Sequence, residues 1–153
     1  MNLLHFFIRL IRARIAGLIR IRRVKGPIRL ECNDCGLCCR SLEGTFVEEN
    51  EAPPLRQSGG IDGTPGALRL LCHGTSCVLL ASGRCSQYIH RPRGCREYPW
   101  YNIAGNLYYD KGCPGIRHDY DEHPEPESLR PIDHYFPLPA SIRRLVYFLI
   151  HRW

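Results

Sequence analysis

Apolar residues recur at steps of three and four near the start of the chain. Leu4, Phe7, Ile8, Ile11, Ile15 and Leu18 share one helical face, while Arg9, Arg12, Arg20 and Arg23 fall on the other. Arg14 intrudes at the edge of the apolar stripe. The spacing predicts an amphipathic helix over residues 3–23, stopped by Gly26-Pro27. The pattern then shortens. Gly44–Glu48 reads as a short strand, and Ala67–Leu71 and Val78–Leu80 as strands flanking a turn at His73–Ser76. Tyr101–Ile103 and Leu107–Tyr109 flank Ala-Gly-Asn, which predicts a hairpin. Between them Ala52–Gly66 holds four Gly and three Pro, the composition of a loop.

Residues 117–139 are polar and carry Pro124, Pro126, Pro131, Pro137 and Pro139, which predicts an extended linker. Ser141 is then a candidate N-cap for a short helix to Trp153, with a stripe of Ile142, Leu145, Val146 and Leu149. The expected organisation is a basic helix over 1–27, a body over 28–116, and linker plus helix over 117–153.

The chain has 153 residues, the size of one domain. Its net charge of +6 is unevenly placed. Residues 1–30 hold eight Lys and Arg and no Asp or Glu; the other 123 residues hold 13 against 15. The basic character therefore belongs to the N-terminal arm, and nucleic acid is an unfavoured partner for the body. The arm can pack on a protein partner, on the C-terminal helix, or lie on an anionic membrane surface through residues 3–23. No stretch reaches the ~20 uninterrupted apolar residues of a membrane span. No secretory leader is visible, since Arg9, Arg12 and Arg14 break the apolar run. The expected location is cytoplasmic, with a peripheral membrane association through the arm as the variant.

Nine cysteines change the picture. Residues 32–39 read Cys-Asn-Asp-Cys-Gly-Leu-Cys-Cys, and Cys72, Cys77, Cys85, Cys95 and Cys113 follow. A C-x-x-C step presents two thiolates from one turn, and Gly36 can take positive φ there. An odd count, an adjacent pair and the absence of a leader favour metal over a disulfide framework. The fold class expected is α+β: a small, loop-rich, metal-stabilised domain with short β-hairpins, flanked by two amphipathic helices.

Past the first cluster the chain continues Cys77-Val-Leu-Leu, Cys85, Tyr88, Arg91-Pro92, Cys95-Arg96, Tyr98-Pro99 and Cys113-Pro114-Gly115. This string resembles the CxxCxxCC (YkgJ-like) cysteine cluster family, a zinc- or iron-chelating domain, over about Cys32 to Gly115. The resemblance implies Cys32, Cys35, Cys38, Cys39, Cys77, Cys85, Cys95 and Cys113 as metal ligands, and zinc or iron, an iron–sulfur cluster included, as cofactor. Cys72 lies outside the pattern and reads as a local extra. Two departures stand out: Gln87 precedes Tyr88 where the family often carries Ile-Tyr, and the acidic helix usual after the first cluster gives way to the Pro-containing Glu48–Leu55.

Eight thiols make two sets of four, the ligand count of a tetrahedral Cys₄ zinc site or a cubane cluster. Cys38 and Cys39 diverge in extended backbone, so the pair either divides between two metals or one ligates while the other packs behind it. Arg91, Arg93 and Arg96 surround Cys95, either as an electropositive wall or as donors to nearby carbonyls, the second being the ordinary reading. His73 reads as a turn residue and His90 as solvated. His118, Asp119, Asp121, Glu122 and His123 read as a solvated polar run. Tyr98, Trp100, Tyr101, Tyr108 and Tyr109 read as core and cross-strand pairs.

No Ser–His–Asp spacing, P-loop or dinucleotide fingerprint occurs, so the leading function is a non-enzymatic metal chelator. The rivals are an iron–sulfur-dependent enzyme or accessory factor for protein modification, and a membrane-surface adaptor in which the metal is only a staple.

Overall fold

The computed structural model describes residues 20–40 and 45–135. Strands β1 (Ile21–Arg23), β2 (Arg29–Leu30), β3 (Ile61–Asp62), β4 (Arg69–Leu70), β5 (Cys72–His73), β6 (Ser76–Cys77), β7 (Leu80–Ala81), β8 (Arg84–Cys85), β9 (Trp100–Ile103), β10 (Asn106–Asp110) and β11 (Ile116–Arg117) follow in chain order. Three short helices accompany them, α1 (Ala52–Gln57), α2 (Arg93–Glu97) and α3 (Ile132–Tyr135). The mixed α+β class with short hairpins is as expected. The C-terminal helix over Ser141–Trp153 and most of the helix over 3–23 lie outside the described residues.

The end of that N-terminal prediction is corrected. Ile21–Arg23 is a strand, paired antiparallel with β10 so that Arg22 opposes Tyr109. Helical periodicity carried the expectation too far, because the partner that makes β1 a strand lies about 85 residues away in the chain. The hairpin over β9 and β10 forms as expected, turning through Ala104 (φ 52) and Gly105 (φ 75). Two successive positive φ values match the right-handed twist of the flanking strands. Trp100 opposes Tyr109 and Tyr101 opposes Tyr108, the cross-strand pairs predicted for these aromatics.

Apolar side chains gather in two places. Ile28, Trp100, Leu107 and Leu129 pack under the three-stranded sheet. Val47, Ala52, Leu55, Leu68, Leu70, Leu79, Cys77 and Cys95 form the other core, with Cys39, Cys72 and Cys85 against it. The second core is where the sulfur lies.

The loop predicted over Ala52–Gly66 is corrected at its start. Ala52–Gln57 is helical, and a 3₁₀ turn over Glu49–Glu51 leads into it. Pro53 and Pro54 fall in the first turn, where a missing N–H costs nothing. Glu48 and Glu51 close a capping box around that entry. The Pro-containing segment that departs from the family pattern is thus itself helical. Thr45 and Val47 run beside β4, through Val47 N–H to Leu68 O (3.0 Å) and Leu70 N–H to Thr45 O (2.9 Å), so the strand expected there is an irregular edge. Val78 N–H bonds Leu71 O (3.0 Å), joining the two segments expected to flank the turn.

The linker predicted from residue 117 on is corrected: it is a strap that does not hang free, broken by a 3₁₀ turn at Pro126–Ser128 and helical over Ile132–Tyr135. Arg117 belongs to β11, Glu122 N–H bonds Ile28 O (3.1 Å), and Leu129 enters the first core. Buried Asn102 holds this strap, donating to Pro126 O (2.7 Å) while accepting from Gly105 N–H (3.0 Å). Asp119 receives both a 2.9 Å and a 3.1 Å bond from Arg29, and His123 stands 3.2 Å from Asp121, so the polar run expected to be solvated is in part paired.

Leu55 is fully enclosed and anchors α1 against the sulfur-bearing core. Leu55→Ala should lower unfolding free energy by about 2–5 kcal/mol. Denaturant titration of the metal-loaded protein measures this; an unchanged midpoint would contradict the packing.

Candidate metal centre

Short hairpins position three of the six cysteines that gather here. Cys72 and Cys77 oppose one another across β5 and β6, closed by a turn at Gly74-Thr75. Directly opposed residues of an antiparallel pair share a face, so both sulfurs point the same way. The next hairpin, β7–β8, turns at Ser82 (φ 50) and Gly83 (φ 83) and carries Cys85 opposite Leu80. Cys95 sits in α2, whose entry Pro92 sets; Cys95 N–H bonds Pro92 O (2.9 Å). Glu51 ties α1 to α2 by accepting Arg93 N–H (2.7 Å) and an Arg96 bond (3.1 Å).

Gly36 places Cys38 and Cys39. Its φ of 67 reverses the chain ahead of a 3₁₀ turn over Leu37–Cys39, and Cys39 N–H bonds Gly36 O (3.0 Å). A Cβ there would stand 2.8 Å from Gly83 O, so the β7–β8 turn docks directly on the first cluster. An ion pair between Arg84 and Asp34 clasps the same two loops.

Cys38, Cys39, Cys72, Cys77, Cys85 and Cys95 line one cavity of about 20 Å³, with Thr45, Leu55, Leu70, Leu79, Arg91 and Pro92 as its other walls. The adjacent pair is therefore not split between two places. The expected divergence assumed extended backbone, whereas a 3₁₀ turn turns both sulfurs inward. Cys32, Cys35 and Cys113 stand apart from this cavity, and within electrostatic reach of one another. The eight cysteines expected as ligands thus fall into groups of five and three, not four and four. Cys72 joins the larger group. It lies outside the motif, and its signal in the sequence is its place in a short hairpin opposite Cys77.

The electrostatics differ within the cavity. The Cys38 thiol is lowered to about 6, first by a hydrogen bond from the Cys39 thiol and then, against the cost of burial, by the Arg91 guanidinium. Cys39 is raised, chiefly because it keeps the proton of that bond. Burial pushes Cys95 up to about 12, partly offset by a hydrogen bond from Thr45. Cys77 and Cys72 are raised by burial too. Neutral buried thiols of this kind ionise when a cation takes the place of the proton.

Only one of the three arginines faces the sulfur. Arg91 lines the cavity, stacked 3.7 Å above the Tyr88 ring with its Nε on Tyr88 O (3.2 Å). Arg96 bonds Arg91 O and Glu51, and Arg93 bonds Glu97 (2.5 Å) and Ser128 O (2.9 Å), the ordinary reading of these two.

The donors fit a soft, tetrahedral ion: thiol sulfur from four segments around an apolar, atom-sized space. Among the described residues, no three His, Cys, Asp or Glu side chains are placed so that they could hold a metal ion as they stand.

The family model CxxCxxCC, described as "Putative zinc- or iron-chelating domain", matches residues 31–114. The chain belongs to the CxxCxxCC family. Its CxxCxxCC domain contains all nine cysteines, Cys72 among them. No curated protein and no solved structure matches the chain. Among the described residues no helix is long and apolar enough to cross a membrane.

In metal-free protein, iodoacetamide should label Cys38 before Cys95. The sign follows from the thiolate fraction: labelling of Cys38 should hold above about pH 6 and fade as pH drops through that value. Peptide mass mapping after timed quenching checks the order; first labelling at Cys95 would contradict the assigned environments.

Proposed function

We propose that this chain chelates zinc or iron through its cysteines, with a closed buried centre formed by Cys38, Cys77, Cys85 and Cys95. The observation that carries the reading is their common cavity. Cys95 feels the charges of Cys38, Cys77 and Cys85, and Cys77 feels those of Cys85 and Cys38. Four thiolates are the full complement of a structural tetrahedral site. Cys39 then packs behind, donating its S–H to Cys38, and Cys72 flanks Cys77 on the hairpin.

Each residue has a distinct role in loading. Cys38, whose thiolate form is favoured by the Cys39 S–H and by Arg91, would supply one ligand to the cation. Cys77, Cys85 and Cys95 lose protons as they close on it, so affinity should fall with acidification. Thr45 supplies a hydrogen bond to the Cys95 sulfur. Arg91 offsets the formal charge of −2 that four thiolates leave around a divalent ion. A cavity of about 20 Å³ suits a single ion; a four-iron cubane would have to push its walls apart. A single zinc or a single iron in a tetrahedral four-sulfur site meets that limit alike. Cys32, Cys35 and Cys113 complete the proposed thiolates outside this centre.

Purification under anaerobic conditions without added metal, followed by elemental analysis, tests the proposal. Wild type should carry tightly bound zinc or iron, and Cys95→Ser should lose about one metal equivalent together with much of its thermal stability. Folded wild-type protein free of metal, or a Cys95→Ser variant with undiminished metal, would overturn it.

A further inference from the structure

We infer that Cys72 and Cys77 are a modification site: an oxidant joins them in a reversible cross-strand disulfide, which withdraws Cys77 from the metal. The pairing stands on the hairpin alone; its effect on the metal rests on the chelating reading above.

The backbone sets the pair. Cys72 opposes Cys77 across β5 and β6, His73 opposes Ser76, and only Gly74-Thr75 lies between the strands. Gly74 makes that turn at φ 61. One residue outward on each strand, Val78 N–H bonds Leu71 O (3.0 Å). Opposed residues of an antiparallel ladder alternate between hydrogen-bonded and non-hydrogen-bonded pairs, so the two cysteines occupy a non-hydrogen-bonded pair. Such a pair brings Cα atoms to about 4.5 Å and projects both side chains to one face. A disulfide spans Cα separations of about 4.4–6.8 Å, so the bond closes without a change of register. Neighbouring segments hold that register. Leu71 N–H bonds Gly60 O (2.8 Å) ahead of β3, and Arg40 bridges antiparallel to Ser76 at the end of the first cluster. Both thiols are free.

Exposure assigns the order of events. Cys72 is half-buried beside the exposed turn of His73, Gly74 and Thr75, whereas Cys77 is 7% exposed. The oxidant is a small disulfide of the oxidised-glutathione class. The Cys72 thiolate attacks one of its sulfurs, expels one small thiolate and becomes a mixed disulfide. The Cys77 thiolate then attacks the Cys72 sulfur and expels the second. The protein gives up two electrons and the small disulfide takes them. The proton of Cys72 and one from solvent complete two small thiols, because Cys77 enters as the metal's thiolate. An external dithiol runs the exchange backwards. The other sulfurs at the cavity lie on other segments, Cys38 and Cys39 on the 3₁₀ turn, Cys85 on β8 and Cys95 in α2, and none of them opposes Cys77 in a ladder. Once bonded to Cys72, Cys77 has no thiolate to give. Three of the four proposed ligands remain, and the buried ion loses its closed shell. Cys72, the cysteine outside the motif, thus acts on the centre without belonging to it.

The test exposes the full, zinc-loaded chain to oxidised glutathione, quenches with iodoacetamide and digests with trypsin. Cleavage after Arg69 and Arg84 leaves a peptide of residues 70–84 whose cysteines are Cys72 and Cys77 alone. That peptide should lose two hydrogen masses and take no label, then accept two labels after dithiothreitol. Zinc captured by pyridylazoresorcinol should rise with the fraction of linked peptide, and Cys72→Ser should release it several-fold more slowly. The wild-type peptide mass needs no variant, so misfolding of Cys72→Ser leaves the pairing tested. Two labels on the oxidised peptide, or glutathione left on it unresolved, would overturn the pairing. Release from Cys72→Ser as fast as from wild type would overturn the control of the metal by Cys72. Linked peptide with zinc still in place would instead overturn Cys77 as a ligand, and with it the buried centre, while the disulfide stands.

Discussion

The contact between Gly36 and the carbonyl of Gly83 is the constraint on which the site depends. With a side chain at position 36 the two backbones would have to separate, and φ 67 would become strained as well. That one approach seats the β7–β8 hairpin on the first cysteine cluster. It thereby sets Cys85 against Cys38 and Cys39, which lie almost fifty residues earlier in the chain. Gly115 repeats the device on the other side of the cluster, where Glu31 takes the place of Gly83. Two glycines that carry no chemistry decide which sulfurs meet.

Such precision has little regular structure behind it. Most strands here are two residues long, and an isolated hairpin of that size is marginal in water. The apolar side chains divide between two modest cores instead of building one. A domain of this size buries a limited share of its surface, and structural zinc in small domains contributes about 10–16 kcal/mol of apparent binding free energy. On the proposed function, metal binding would contribute directly to the folding of the sulfur-bearing half. The aromatic sheet, the Asn102 linkages and the strap over 117–135 give the other half cohesion without metal.

What the sequence conveyed was local. Ala104-Gly105 between alternating apolar residues is enough to specify the β9–β10 hairpin, and C-x-x-C-G is enough to specify a reversal at Gly36. The lost features needed a partner distant in the chain or a position-dependent rule. Ile21–Arg23 carries helical periodicity and becomes a strand only because β10 offers it an edge. Pro53 and Pro54 looked like breakers but sit at the one place in a helix that tolerates them. Extended backbone would let Cys38 and Cys39 divide between two places, but a 3₁₀ turn sets both at one cavity, which leaves the reading in which one sulfur packs behind the other. Cys72 lies outside the motif spacing, yet it opposes Cys77 in a hairpin that turns at Gly74-Thr75.

The division of nine cysteines between an enclosed and an exposed place has a physical logic. Sulfur ligands in an apolar cavity pay a desolvation penalty on ionising, which a cation must offset completely; an incompletely neutralised thiolate there is costly. The buried group accordingly has surplus sulfur at hand, a hydrogen-bond donor in Thr45 and one guanidinium in its wall. Cys32 and Cys35, by contrast, are exposed, and there water itself screens a thiolate's charge. One eight-residue cluster, bent at Gly36, feeds both: its first two cysteines face solvent and its last two face the core. The same turn thus sends one half of the motif to the core and leaves the other half at the surface, on opposite sides of a single glycine.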